Sequence, residues 1–69
     1  MSLELRINGE NRTVDAGTIM ELLRSEGVDD TARFVAVAVN GAVAPRADWT
    51  TRSLGNGDDV EIVNPVSGG

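Results

Sequence analysis

The chain has 69 residues, a net charge of −5 and a pI near 4.3, and it contains neither cysteine nor histidine. The length indicates one small domain, and the composition excludes disulfides, thiolate nucleophiles and the commonest general base, which argues against an enzyme. No basic face of a nucleic-acid binder, signal peptide or membrane span is apparent, so we expect a cytoplasmic protein whose partners are other proteins.

The first predicted element is a β-hairpin. Residues from Leu3 to Ile7 alternate between apolar and polar side chains, which is typical of a strand with one buried face. Asn8-Gly9 follows and is a strong signal for a two-residue hairpin turn. We therefore expect residues 11–14 to return as a short second strand.

A helix is predicted from Ile19 to Glu26. Thr18 and Glu21 have the spacing of a capping box, in which each side chain binds a backbone N–H at the start of the helix. Gly27 occupies the position where a left-handed residue commonly ends a helix. The apolar residues recur at helical spacing and form one face: Ile19, Leu22 and Leu23.

The run from Phe34 to Val39 is continuously apolar and rich in β-branched residues, which favours a strand. The lack of alternation with polar residues indicates that both faces of this strand are covered. We expect one set of side chains to face the helix, namely Val35, Val37 and Val39. The other set faces away from it: Phe34, Ala36 and Ala38.

A second hairpin follows this run. Asn40-Gly41 is the turn signal, and it leads to a short strand, Ala42–Ala44, which Pro45 ends. The segment after the proline is irregular, with one helical turn expected near residues 47–49.

Residues 56–59 form a predicted turn, and residues 60–63 form the last predicted strand. Strands on both sides of a single helix indicate an α+β domain with the helix packed on one face of a sheet. We place this domain at residues 1–63 and assign residues 64–69 to a flexible C-terminal tail.

The predicted tail ends in two glycines, Gly68 and Gly69. Glycine has no Cβ, so such an end is narrow and flexible enough to enter an enzyme cleft. Six extended residues reach roughly 20 Å. This shape suits a chain that presents its own terminal carboxylate as a reactant, and the alternative interpretation is an ordinary frayed terminus.

Four short motifs follow one another in the second half of the chain: Val37–Gly41, Pro45-Arg46 with Trp49, Gly57-Asp58 and Gly68-Gly69. Together and in this order they resemble the ThiS family, the sulfur carriers of thiamin biosynthesis. The resemblance implies a β-grasp (ubiquitin-like) fold, with a mixed sheet of about five strands, one helix on one face and a flexible Gly-Gly tail. Ser67 departs from the small Gly or Ala of many relatives but is nearly as small.

The resemblance also implies a function. A partner adenylating enzyme (ThiF-like) uses ATP to activate the carboxylate of Gly69, and a sulfur donor converts it to a thiocarboxylate. Thiazole synthase (ThiG-like) then accepts the sulfur. In this scheme Gly69 is a substrate and Gly68 gives access to it. The carrier has no catalytic residue, binds no cofactor or metal, and is a monomer when free.

Three other features have two interpretations each. Trp49 is more consistent with a residue that closes the end of a small core than with a hot-spot residue that binds a partner. Arg46 is suited either to pair with a partner's acid or to stack on Trp49. Asp58 and Asp59, with Glu61 nearby, are more typical of turn chemistry than of a metal site.

The sheet face opposite the helix is a candidate docking surface, because a single helix covers only one face. The alternative is ordinary packing of this face against the segment from Pro45 to Leu54. The candidate partner-binding residues are Phe34, Ala36, Ala38, Ile62, Val63 and Val66.

Two other functions compete with the thiazole sulfur carrier. The small subunit of molybdopterin synthase (MoaD-like) shares the fold and the Gly-Gly end, although the Pro-Arg-x-x-Trp segment favours the ThiS family. A β-grasp adaptor or protein modifier is the other. The chain has six arginines and no lysine, so it lacks side-chain amines for building chains of itself.

Overall fold

The computed structural model of the chain describes residues 2–65. Within this range the order of elements is β-β-α-β-β-β, which confirms the α+β class and the mixed sheet of five strands with one α-helix. The strands lie in the order β2-β1-β5-β3-β4, and the pairing is antiparallel except between β1 and β5. The elements are β1 Leu3–Ile7, β2 Glu10–Val14, α1 Ile19–Ser25, β3 Ala36–Val39, β4 Ala42–Ala44, a 3₁₀ turn Arg46–Asp48 and β5 Asp59–Val63.

Both Asn-Gly pairs form hairpin turns, as predicted. Asn8 and Asn40 have φ values of 50° and 52°, and the glycines that follow them, Gly9 and Gly41, both have φ of 84°. A type I′ turn requires positive φ at both central residues, and Asn and Gly are the residues that adopt it most readily. The two turns therefore fix the register of both hairpins.

The capping box at the start of α1 is confirmed. The Thr18 hydroxyl oxygen accepts the backbone N–H of Glu21 at 3.2 Å. The Glu21 carboxylate accepts the backbone N–H groups of Gly17 and Thr18 at 2.9 and 3.0 Å. These donors favour the charged form, so the pKa of Glu21 lies below its ordinary value.

The end of α1 is also as predicted, with a difference of one residue. Gly27 has φ of 74°, and its N–H donates to the carbonyl of Arg24 at 3.1 Å. The N–H of Val28 donates to the carbonyl of Leu23 at 2.9 Å. This pair of bonds is the Schellman motif, which satisfies carbonyls that the helix leaves free.

The core lies between α1 and one face of the sheet. Trp49, 1% exposed, closes this core, and its indole N–H donates to the carbonyl of Ala44 at 3.0 Å. This confirms its structural role, and it places the segment after Pro45 on the helix side. The other buried residues of the core are Leu5, Ile7, Val14, Ala16, Ile19, Leu22, Leu23, Val35, Val37, Val39, Ala44, Leu54 and Val60.

The prediction for the run of residues 34–39 is right on one face and wrong on the other. Val35, Val37 and Val39 are buried, as expected, although β3 begins only at residue 36. The second face is not covered: Phe34 is 71% exposed and Ala36 is exposed. One helix covers one face only, and small alanine side chains expose little apolar area on the other.

Neither helical segment within residues 2–65 has the length and apolarity needed to cross a membrane.

Candidate functional site

The face of the sheet away from α1, here called the open face, carries a cluster of apolar side chains at one end. Directly paired residues of neighbouring strands share a face. The register pairs Ala36 with Val63 and Ala38 with Val43. We use the name apolar patch for these four residues together with Phe34, which is exposed and lies two residues before Ala36. Its members are Phe34, Ala36, Ala38, Val43 and Val63.

The apolar patch holds the most exposed large apolar side chains of the described residues. Phe34, Val43 and Val63 are 71%, 75% and 56% exposed. Val43 and Val63 lie on the open face of the two strands that flank β3, and Phe34 precedes β3 and lines a groove with Asn64 and Pro65. Neighbouring exposed apolar groups of this kind mark interaction surfaces more often than isolated ones do. The alternative of burial against the segment 45–54 does not hold, because that segment packs on the helix side.

Ile62 does not belong to this surface, and its predicted place there is wrong. The register pairs Ile62 with Val37, whose side chain is 1% exposed and faces α1. Ile62 is accordingly half-buried against the core. Neighbouring residues of a strand point to opposite faces, so Val63 lies on the open face and Ile62 cannot.

The other candidate residues fall into two groups. Ala36, Ala38 and Val63 lie together on the open face, and the exposed Phe34 lies just before β3 and lines a groove with the residues that follow Val63. Val66, Gly68 and Gly69 lie outside the described residues.

The rest of the open face is polar. Glu4 and Arg6 on β1 lie beside Thr13 and Asn11 on β2, and all four side chains are exposed. Glu61 of β5, opposite Ala38, marks the boundary between the two halves. The open face is therefore divided along the last strand into an apolar half and a polar half.

Val43 is a member of the apolar patch that sequence reasoning missed. The signal for it was present in the Asn40-Gly41 turn. A two-residue turn pairs the residues on either side of it, Val39 with Ala42, and the next pair outward is then Ala38 with Val43. Counting outward from the turn would have found this residue.

Arg46 fixes the segment that carries Phe34. Its guanidinium lies 4.6 Å from the centroid of the Trp49 ring, so the stacking interpretation is the one that the structure shows. The same guanidinium donates to the carbonyls of Asp30, Ala32 and Val35, the last two at 2.6 and 3.4 Å. One side chain thus joins the closed end of the core to the segment leading into β3.

A further local bond orders this segment. The Asp29 carboxylate accepts the hydroxyl and the backbone N–H of Thr31, at 2.6 and 3.0 Å. Because both bonds favour the charged form, the pKa of Asp29 is held below its ordinary value. The approach to Phe34 is therefore fixed from two sides.

A groove of about 370 Å³ lies where β5 ends. Its lining includes Arg33 and Phe34, which precede β3, and Asn64 and Pro65, which follow β5. The start of the predicted tail is therefore a neighbour of the apolar patch.

The acidic turn before β5 has a structural role. The two oxygens of Asp58 accept the backbone N–H of Gly55 at 2.8 Å and the side-chain amide of Asn40 at 3.0 Å. This is the turn chemistry predicted for the residue. No group of three or more acidic residues within residues 2–65 has the arrangement of a metal site.

Comparison with known proteins identifies a family, and the similar solved structures include two from the same organism. The sequence profile of the ThiS family matches residues 5–69. A crystal structure of the thiamine biosynthesis protein ThiS from Geobacter metallireducens is 33% identical, covers 100% of both chains and superposes with a TM-score of 0.76. A solution NMR structure of a thiamine biosynthesis protein from the same organism, 33% identical, gives a TM-score of 0.79 over 97% of this chain and 88% of that chain.

Among curated proteins, a thiazole synthase from Paramagnetospirillum magneticum is 38% identical over 68 residues. The match covers 97% of this chain and 20% of the synthase, so the chain spans about a fifth of the length of that relative.

Proposed function

The chain belongs to the ThiS family, and from this premise we propose that it is a sulfur carrier of thiamin biosynthesis, a co-substrate of partner enzymes rather than a catalyst. The reacting group is the terminal carboxylate of Gly69. An adenylating enzyme activates it with ATP, a sulfur donor converts it to a thiocarboxylate, and thiazole synthase receives the sulfur.

The chemistry explains why a partner enzyme is needed. A carboxylate is a poor electrophile, because its negative charge resists attack and oxide is a bad leaving group. In adenylation the carboxylate oxygen attacks the α-phosphate of ATP and pyrophosphate leaves, which gives an acyl-adenylate. A sulfide equivalent from the donor then attacks the carbonyl carbon, and AMP leaves with that oxygen, so that the chain ends in a thiocarboxylate. The sequence contains no cysteine or histidine to act as a nucleophile or general base. The role of the domain is therefore to be recognised and bound by the partner enzymes.

The observation that carries the proposal is the apolar patch beside the end of β5. Val63 is the last residue of that strand and a member of the patch, and residues 64–69 follow it directly. A partner that docks on the patch therefore has the start of the tail at its own surface. From Pro65, the four remaining residues span at most about 14 Å, which is sufficient to reach into an adjacent active site.

The match to a thiazole synthase supports the thiazole pathway over the molybdopterin alternative. A synthase that contains a segment similar to this chain places a carrier-like domain next to thiazole assembly. We infer that thiazole synthase is the acceptor of the sulfur.

Intact-mass spectrometry tests the carrier function. Incubated with its cognate adenylating enzyme, ATP and a sulfur source, the chain gains the mass of one oxygen exchanged for sulfur, located at Gly69. The control is a chain lacking Gly69, which folds with the same urea midpoint and gains no mass. A Gly69-deleted chain that still supports thiazole formation in cells contradicts the carrier function and favours the adaptor.

The same chains distinguish the two sulfur pathways. In cells that lack their own carrier, the intact chain restores growth without added thiazole. Restoration of molybdenum-cofactor activity instead would identify the molybdopterin alternative.

A further inference from the structure

The two asparagines of the hairpin turns bind the two opposite ends of β5. Both have the same backbone conformation, with φ of 50° at Asn8 and 52° at Asn40, and both precede a glycine. Their side-chain amides reach strand β5 from opposite sides. Asn8 binds Ile62, next to the last residue of the strand, and Asn40 binds Asp59, the first residue.

The Asn8 amide replaces strand pairing that β1 does not provide. The parallel ladder between β1 and β5 covers only two pairs, Arg6 with Asp59 and Ile7 with Val60, before the chain turns away. The N–H of Ile62 donates to Asn8 Oδ1 at 2.8 Å, and Asn8 Nδ2 donates to the carbonyl of Ile62 at 3.3 Å. One side chain thus satisfies both backbone groups of a residue beyond the end of the ladder.

Asn40 acts at the other end of the same strand. Its Oδ1 accepts the N–H of Asp59 at 2.9 Å, and its Nδ2 donates to Asp58 Oδ1 at 3.0 Å. Its own N–H donates to the carbonyl of Asp59 at 2.7 Å. These bonds fix the turn that enters β5 and lie at the end away from the tail.

We propose that Asn8 is a positioning residue for the sulfur-carrier reaction: by holding Ile62, its amide sets the direction in which the chain leaves β5 towards Gly69. This inference rests on the proposed function. The N–H and carbonyl of Ile62 are held on the β1 side by Asn8, whereas Val63 pairs with Ala36 on the β3 side. Loss of the amide leaves the last two residues of β5 held from one side only.

The direction of the last residues of β5 matters because the tail continues from them. It decides where residues 64–69 start relative to a partner docked on the apolar patch. Activation needs the carboxylate of Gly69 in a near-attack position, so a displaced or mobile starting point lowers the fraction of docked chains that reach it. The side chain of Asn8 acts through the backbone of β5 and does not touch the reacting atoms.

The pair of asparagines supplies a matched experiment. Asn8→Gly and Asn40→Gly each remove one amide, and glycine keeps the positive φ, so the Gly-Gly turn is unstrained in both variants. Circular dichroism and urea unfolding establish that both fold, with similar losses in the urea midpoint. Amide hydrogen exchange at Ile62 and the kinetics of thiocarboxylate formation are then compared with those of the unmodified chain.

Only Asn8→Gly is expected to impair the reaction. Exchange of the Ile62 amide accelerates at least tenfold in Asn8→Gly and stays within about threefold in Asn40→Gly. The kcat of thiocarboxylate formation falls roughly tenfold or more in Asn8→Gly, with KM little changed because the apolar patch is intact. Asn8→Asp, which keeps an acceptor for the Ile62 N–H and tolerates positive φ, recovers part of the rate.

Equal rates in Asn8→Gly and Asn40→Gly overturn the inference, as does unchanged exchange at Ile62 in Asn8→Gly. Failure of the proposed function looks different, because the unmodified chain then gains no sulfur at all. In that case the role of Asn8 in the reaction falls with it.

Discussion

The two aromatic residues of the chain, Trp49 and Phe34, lie in opposite environments. Trp49 is 1% exposed, covered by the Arg46 guanidinium and hydrogen-bonded to the carbonyl of Ala44. Phe34 is 71% exposed. The Arg46 guanidinium donates to the backbone carbonyls of the nearby Ala32 and Val35, so these bonds hold the backbone around Phe34 and not its ring. One aromatic side chain closes the core, and the other remains available to a partner.

Strand β3 shows the same division within four residues. Val37 and Val39 are each 1% exposed beneath α1, whereas Ala36 and Ala38 lie on the open face. Burial of a valine side chain contributes about 1.5–3 kcal/mol, and an exposed alanine contributes little. The covered face therefore supplies stability and the open face supplies a flat apolar surface. Removing a side chain from each face in turn separates the two functions.

The largest effect is expected from Trp49→Ala. Removing a buried tryptophan costs about 3–5 kcal/mol, which is a large part of the stability of a domain this small. We expect a loss of cooperative urea unfolding, or a midpoint far below that of the unmodified chain, monitored by far-UV circular dichroism.

Phe34→Ala is the control for an exposed aromatic residue. We expect it to change the free energy of unfolding by no more than about 0.5 kcal/mol. Equal losses for the two variants would show that Phe34 belongs to the core and would contradict the division of the faces.

The second prediction concerns binding through the open face. Ala36→Asp places a charge in the apolar patch beside Val63. We expect the affinity for the adenylating enzyme to fall at least about tenfold, or roughly 1.4 kcal/mol, because the new carboxylate loses water on docking. Isothermal titration calorimetry measures the change.

Thr13→Asp introduces the same charge on the polar half of the same face, so it is the matched control, and we expect it to bind within about twofold. If Ala36→Asp unfolds the domain instead, Ala36 is a core residue and the apolar patch is not a docking surface.

The parts of the fold that the sequence predicted well are those specified by residues close together in the chain. The Asn-Gly turns, the capping box of Thr18 and Glu21 and the left-handed Gly27 each depend on a few adjacent positions. A local signal of this kind fixes the backbone whatever the rest of the chain does.

The errors arise where register between distant strands decides the outcome. Ile62 and Val63 are neighbours in β5 and cannot share a face, and the pairing with Val37 decides which of them faces the core. The bonds from Asn8 to Ile62 and from Arg46 to the carbonyl of Ala32 join segments far apart in the sequence. No local pattern encodes them, so the sequence alone did not reveal either role.

A third, smaller effect is expected from weakening α1, the helix on the covered face, while the open face is left unchanged. Thr18→Ala removes the hydroxyl that accepts the Glu21 N–H, and such a loss typically costs about 1 kcal/mol. We expect the urea midpoint to fall by the corresponding amount. Affinity for the adenylating enzyme should stay within about twofold, because Thr18 lies away from the apolar patch. A loss of affinity comparable to that of Ala36→Asp would mean that the helix side also contacts the partner.

The smallest effect is a dependence of stability on acidic pH. Hydrogen bonds lower the pKa of Glu21, through Gly17 and Thr18, and that of Asp29, through Thr31, in the folded state. A depressed folded pKa means that the unfolded state binds protons first, at the ordinary values of about 4.3 for Glu and 3.9 for Asp. The stabilisation is therefore fully present above those values and is lost as pH falls through the folded pKa values.

Glu21→Gln and Asp29→Asn measure separately how much the start of α1 and the segment before Phe34 contribute to this pH dependence. Glu21 caps the helix on the covered face, and Asp29 orders the segment that leads to Phe34, so each substitution removes the acid sensitivity of one region. We expect urea midpoints measured from pH 6 to pH 3 to fall less steeply in either variant than in the unmodified chain. If neither substitution reduces the slope, then the hydrogen bonds to these two carboxylates do not persist in solution. In that case neither the start of α1 nor the approach to Phe34 is held by its carboxylate.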